Sequence, residues 1–81
     1  MITDRIAFEK RKLGKKIGET FQEVESLLKQ LPPHKTMYII NDCHAFNVFW
    51  AEHADLTKIS LEETQERFQQ VMNLLERIKN L

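Results

Sequence analysis

Residues 36–54 read TMYIINDCHAFNVFWAEHA, and whether this stretch coils or doubles back decides the architecture. As a helix from Thr36 to about Ala54, it gathers Ile39, Cys43, Phe46, Trp50 and Ala54 on one face at helical spacing. Asn41, His44, Glu52 and Asp55 then lie opposite, with Asp42, Phe49 and His53 on a flank. As a β-hairpin, Thr36–Asn41 and Ala45–Trp50 are strands and Asp42-Cys43-His44 is the turn. Tyr38, Ile39, Ile40, Phe46, Val48, Phe49 and Trp50 suit a strand. A tight hairpin turn wants glycine, however, and none follows Gly18. The helical period also persists over about eighteen residues, longer than an ordinary strand. The helix is therefore the favoured reading.

The flanks set the frame around this segment. Upstream, Ile6, Leu13, Ile17, Phe21, Val24, Leu28 and Leu31 form one continuous helical stripe. Thr3 can cap the start, Asp4 complements the helix dipole, and Pro32-Pro33 removes two donors and ends the helix at Leu31. A rod of this length spans about 40 Å. Gly14 and Gly18, beside Ala7, either bend or interrupt it or open a small-residue groove for another backbone. Downstream, Ser60 and Glu63 make a capping box ahead of Leu61, Phe68, Val71, Met72, Leu75 and Ile78. Glu25–Lys29 and Glu63–Arg67 have the spacing of favourable helix ion pairs. Short connections at Pro32–Lys35 and Asp55–Ile59 imply antiparallel neighbours. The expected fold is all-α: a single domain over residues 1–81, built as a three-helix up-down-up antiparallel bundle with long amphipathic first and third helices. An α-β-hairpin-α arrangement is the alternative.

Composition narrows the function classes. The chain has 81 residues, with 12 basic and 12 acidic side chains, so net charge gives no pull toward nucleic acid or an anionic surface. The halves differ mildly: residues 1–31 hold seven Lys/Arg and five Asp/Glu, residues 32–81 five and seven. Cys43 is the sole cysteine, which excludes an intrachain disulfide and points to a reducing cytoplasm. Met1 to Lys16 lacks the apolar core of a secretory signal, and no run reaches the roughly 18 apolar residues of a membrane span.

The chemistry-bearing residues cluster between Asp42 and Asp55. His44 and His53 are nine apart, which turns them to opposite sides of a helix rather than onto one ion. Cys43 and His44 are adjacent and diverge by about 100° on a helix, unlike a nucleophile and its base. Cys43 reads as a small buried hydrophobe and Trp50 as core with its N–H at the edge. No catalytic residue, metal ligand or cofactor is assigned. Arg5, Lys12 and Lys16 share a side of the first helix with Glu9, Glu19 and Glu23 on or beside it, while Lys10 and Arg11 turn away. That mixture fits a solvated face better than a phosphate-tracking surface. Phe8 lies across the rod from the stripe, beside Arg11 and Lys15, where an aromatic among cations suits an interface centre. Leu74 and Leu81 widen the last helix's stripe beyond what one neighbour requires.

These features lead to a non-enzymatic interaction module: a small regulator, adaptor or inhibitor with another protein as partner, expected to form a homodimer. The expected partner-binding residues are Phe8, Arg11, Lys12, Lys15, Lys16, Leu74 and Leu81. A nucleic-acid-binding regulator using the basic stretch is the rival, and a metal- or thiol-dependent enzyme centred on residues 42–53 is the third reading.

Overall fold

The computed structural model describes the backbone of residues 2–52 and 58–81 and the side chains of residues 5–51 and 58–81. Four helices follow in order: α1 (Ile2–Gln30), α2 (Pro33–Thr36), α3 (Ile40–Glu52) and α4 (Leu61–Lys79). The described residues contain no strand. The middle segment is thus helical, and the hairpin alternative is set aside. Ala54, His53 and Asp55 of that segment lie outside the described residues, as do the side chains of Glu52, Thr3 and Asp4. The molecule measures 50 × 19 × 16 Å, a length set by the 29 residues of α1.

α1 packs along α4. Ile17, Phe21 and Val24 from α1, Ile39, Cys43 and Phe46 from the α3 region, and Val71, Leu74, Leu75 and Ile78 from α4 form one core. Leu27, Leu28, Leu31, Trp50 and Phe68 seal its margin. Phe21 and Phe46 meet with ring centroids 5.4 Å apart at an interplanar angle of 34°, joining α1 to α3. Against α4, α3 is fixed by Arg77 donating to Asp42 at 2.9 Å and by Arg67 lying 3.8 Å from the centroid of Phe49. Both attachments are partly solvated, so each contributes only about 1 kcal/mol or less. The apolar core supplies the main stabilisation, at roughly 1.5–3 kcal/mol for each fully buried aliphatic side chain.

Several local expectations change. α1 begins at Ile2, one residue before the expected Thr3 cap. The stripe does not remain buried to its end: Ile6 is 41% exposed. Lys10 explains why, because its ammonium donates to the Ile59 carbonyl at 2.9 Å and so places the approach to α4 level with Lys10. The turns of α1 before that point extend past the start of α4. Lys10 accordingly belongs to the packing of the bundle, not to the outward basic cluster.

The expected Pro32–Lys35 loop is instead a turn of helix, and the middle helix starts at Ile40 instead of Thr36. Pro33 occupies the first position of α2, where its fixed φ suits a helix and its missing N–H costs nothing. Lys35 N–H donates to the Pro32 carbonyl at 3.0 Å, and Met37 N–H to that of Pro33 at 3.0 Å. Thr36 is buried and turns its hydroxyl back to the Pro33 carbonyl at 3.3 Å.

The start of α4 follows expectation. Ser60 Oγ accepts from Glu63 N–H at 3.0 Å, and the Thr64 hydroxyl donates to the Ser60 carbonyl at 2.9 Å. Glu62 and Glu63 stand in the first turn of α4, and Arg77 and Lys79 in the last, matching the helix dipole. Arg67 turns to Phe49 and Gln70 and not to Glu63, because α3 offers an aromatic face and Gln70, one turn further along α4, an amide oxygen at 2.7 Å. The ion pair seen among the described residues is Arg77–Asp42, with Glu25–Lys29 unformed.

α1 runs unbroken through both glycines, and neither has a positive φ. A Cβ built at Gly18 meets nothing within 4 Å, so no backbone is held close there and the groove reading fails at that position. Gly18→Ala is therefore expected to raise stability by about 0.4–1 kcal/mol through a less flexible unfolded chain and better helix propensity. Urea denaturation of the two chains checks this; a loss of stability would reveal a contact at Gly18.

Candidate interaction surface

On α1, the core-facing residues Ile17, Phe21 and Val24 fix the rotation of the whole helix. Residues half a turn away must then face water. Phe8, Arg11, Lys12 and Lys15 fall there, and together they line one shallow hollow of about 480 Å³. Phe8 is 57% exposed, a large share for a phenyl ring among cationic side chains. Arg11, Lys12, Lys15 and Lys16 are all exposed. Four of the expected partner-binding residues thus come together on one surface. Lys16 is on the same helix but does not line the hollow, and its carbonyl accepts the Thr20 hydroxyl at 2.7 Å.

The two α4 residues part company. Leu81 is 43% exposed at the end of the chain, whereas Leu74 is 6% exposed and belongs to the core. The widened stripe of α4 is accounted for inside the molecule. α4 touches both α1 and α3, and a helix with two neighbours needs a broader apolar face than a helix with one. Leu74 forms part of the floor of a hollow of about 300 Å³ between α3 and α4, beside Phe46, Phe49, Gln70 and Asn73. The Asp42–Arg77 pair lines the same hollow. Sequence reasoning missed this hollow, because its walls are distant in the chain and no periodicity links them.

The residues considered for chemistry are separated as well. Cys43 is buried at 3% exposure, while its neighbour His44 is exposed. Burial pushes the Cys43 thiol above its ordinary value; the Asp42 carboxylate adds to this and Arg77 opposes it. A thiol held protonated is a poor nucleophile. Among the described residues, no three His, Cys, Asp or Glu side chains are grouped to hold a metal ion. No described helix is long and apolar enough to cross a membrane.

Comparison with protein-family models, curated proteins and solved structures finds no match to this chain.

Two outcomes follow from these placements. Leu74→Ala is expected to cost about 2–5 kcal/mol and Leu81→Ala no more than about 0.5 kcal/mol, measured by urea denaturation. The second concerns Cys43, whose folded-state pKa is raised. Its contribution to stability is fully present below the ordinary thiol value of 9.0 and is lost as pH rises through the folded value. Stability of the natural chain should thus fall above that pH more steeply than that of Cys43→Ala. Equal slopes in paired melts across this range would contradict the assignment.

Proposed function

We propose that this chain is a non-enzymatic protein–protein interaction module: a small cytoplasmic regulator, adaptor or inhibitor that binds another protein through the outer face of α1 and also self-associates. The observation that carries the reading is the convergence of Phe8, Arg11, Lys12 and Lys15 on one outward hollow. An exposed ring encircled by cations suits a partner segment that presents an apolar side chain flanked by carboxylates. Aromatic and arginine side chains dominate the energetics of such contacts. The lone buried Cys43 is consistent with a reducing compartment.

The arrangement that presents this face is an up-down-up bundle of α1, α3 and α4. Two contacts support opposite directions for α3 and α4: Asp42 meets Arg77 while the later Phe49 meets the earlier Arg67. The Lys10–Ile59 bond supports α4 setting out from the Lys10 level of α1.

The same basic residues favour a second reading, contact with nucleic acid, with Phe8 as a stacking platform. Glu19 and Glu23, exposed further along α1, dilute that surface. The readings separate experimentally. Affinity capture from the native host should yield a protein whose retention falls about tenfold or more with Phe8→Ala and with Lys12→Glu/Lys15→Glu, but not with Leu81→Ala. Fluorescence anisotropy with a labelled 20-base-pair duplex and a single-stranded 20-mer should show no salt-steep association. Tight binding that weakens with a log–log slope near −0.9 per phosphate contact would replace the protein partner with nucleic acid.

A further inference from the structure

The charges that the fold leaves in water are sorted by helix. Between Arg5 and Lys16, α1 carries six cations and one carboxylate, Glu9. Lys10 is turned to Ile59, and Glu9 is half-buried. The other five cations, Arg5, Arg11, Lys12, Lys15 and Lys16, are exposed, as is Phe8. α4 has the opposite bias. It holds Glu62, Glu63, Glu66 and Glu76 against Arg67, Arg77 and Lys79. Two of those cations are drawn to α3, Arg67 over Phe49 and Arg77 to Asp42. With Val71, Leu75 and Ile78 in the core, helix geometry turns Glu62, Glu66, Gln69, Asn73 and Glu76 away from it, and all five are exposed. Among the described residues, none of these exposed glutamates or α1 cations has an ion-pair partner.

Charge decides which faces can meet. Two copies of the α1 face would bring cation against cation, and two of the α4 face carboxylate against carboxylate, which disfavours a symmetric contact through either. The α1 face of one copy is instead complementary to the α4 face of another. Run antiparallel with Lys12 level with Glu66, Lys15 and Lys16 come level with Glu63 and Glu62. Phe8, four residues before Lys12, then comes level with Gln70, four residues after Glu66. Gln70 lines the hollow between α3 and α4 that Phe46, Phe49 and Leu74 also line, so the exposed ring arrives beside an apolar recess. Glu19, the next outward carboxylate of α1, comes level with Ile59, next to exposed Lys58. A parallel arrangement that matches Lys12 with Glu62 and Lys16 with Glu66 puts Phe8 level with Lys58 instead, before α4 begins.

We propose that copies of this chain associate head to tail, the Phe8 face of α1 in one copy docking antiparallel on the acidic outer side of α4 in the next. This proposal rests on the self-association part of the proposed function and names both surfaces that carry it. A second copy and a different protein then compete for the Phe8 face. On one copy the two surfaces point away from the α1–α4 contact in opposite directions, so each added copy leaves one of either kind open and the assembly grows with concentration. Exposed ion pairs are individually weak, so the dissociation constant falls on the order of 100 µM at low salt.

Sedimentation velocity of the natural chain at about 500 µM, a few times that constant, should show species beyond the dimer at about 20 mM salt. At about 500 mM salt, where charges are screened within a few ångströms, it should show monomer. Lys12→Glu/Lys15→Glu and Glu62→Lys/Glu66→Lys replace exposed side chains, so circular dichroism should remain that of the natural chain. Each double variant alone should be monomeric at low salt. Mixed in equal amounts they should associate again, because the intact acidic face of one meets the intact basic face of the other. Phe8→Ala should raise the dissociation constant about tenfold. A natural chain monomeric at low salt would overturn both this proposal and the self-association reading, with capture of another protein through Phe8 judged by its own test. Association that survives about 500 mM salt, that stops at a dimer, or that ignores Glu62→Lys/Glu66→Lys would overturn this proposal alone, leaving self-association on another surface.

Discussion

Ile17 and Val24 of α1 and Val71 of α4 have no exposed surface, and the rest of the molecule is arranged around the contact they make. A domain this small buries little apolar area, so stability depends on a few fully dehydrated side chains rather than on a deep core. Those side chains fix the rotation of α1 about its axis. That rotation turns Phe8, Arg11, Lys12 and Lys15 outward and Lys10 inward. The surface offered to partners is thus a consequence of which residues the α1–α4 contact removes from water.

The third long element is held differently. α3 contributes Cys43 and Phe46 to the core, but its attachments to α4 are two partly solvated contacts, Asp42–Arg77 and Phe49–Arg67. It is the most apolar of the long helices and yet has a whole side open to water. An all-round apolar helix is ordinarily enclosed on all sides. Here two neighbours enclose only part of it, which leaves Ile40 and Val48 outside.

Much of the architecture was legible from spacing. The helical period of residues 39–50 outweighed the strand preference of Ile39, Ile40, Val48 and Phe49, because Cys43 and Phe46 fall in line with Ile39 on the side that the core takes up. Ser60 announced the start of α4 through a purely local bond to Glu63 N–H. Periodicity was less informative at the edges. Ile6 continues the stripe but has no α4 beside it, and Leu74 looked like spare apolar surface because the stripe does not disclose how many neighbours a helix has. Arg67 sits four residues from Glu63, but pairing is decided by what else comes within reach, and Phe49 is eighteen residues away in the chain.

By itself, the sequence determined where α1 and α4 run and which side of each is oily, and it favoured a helix over a hairpin between them. These properties depend on residues three or four apart, within the range of backbone hydrogen bonds and neighbouring side chains. Only the tertiary structure decided how many sides of each helix are covered. Burial of Leu74, exposure of Ile6, the inward turn of Lys10 and the bare outer face of α3 all depend on which helix lies alongside. That adjacency comes from contacts between residues far apart in the chain, which no local period records.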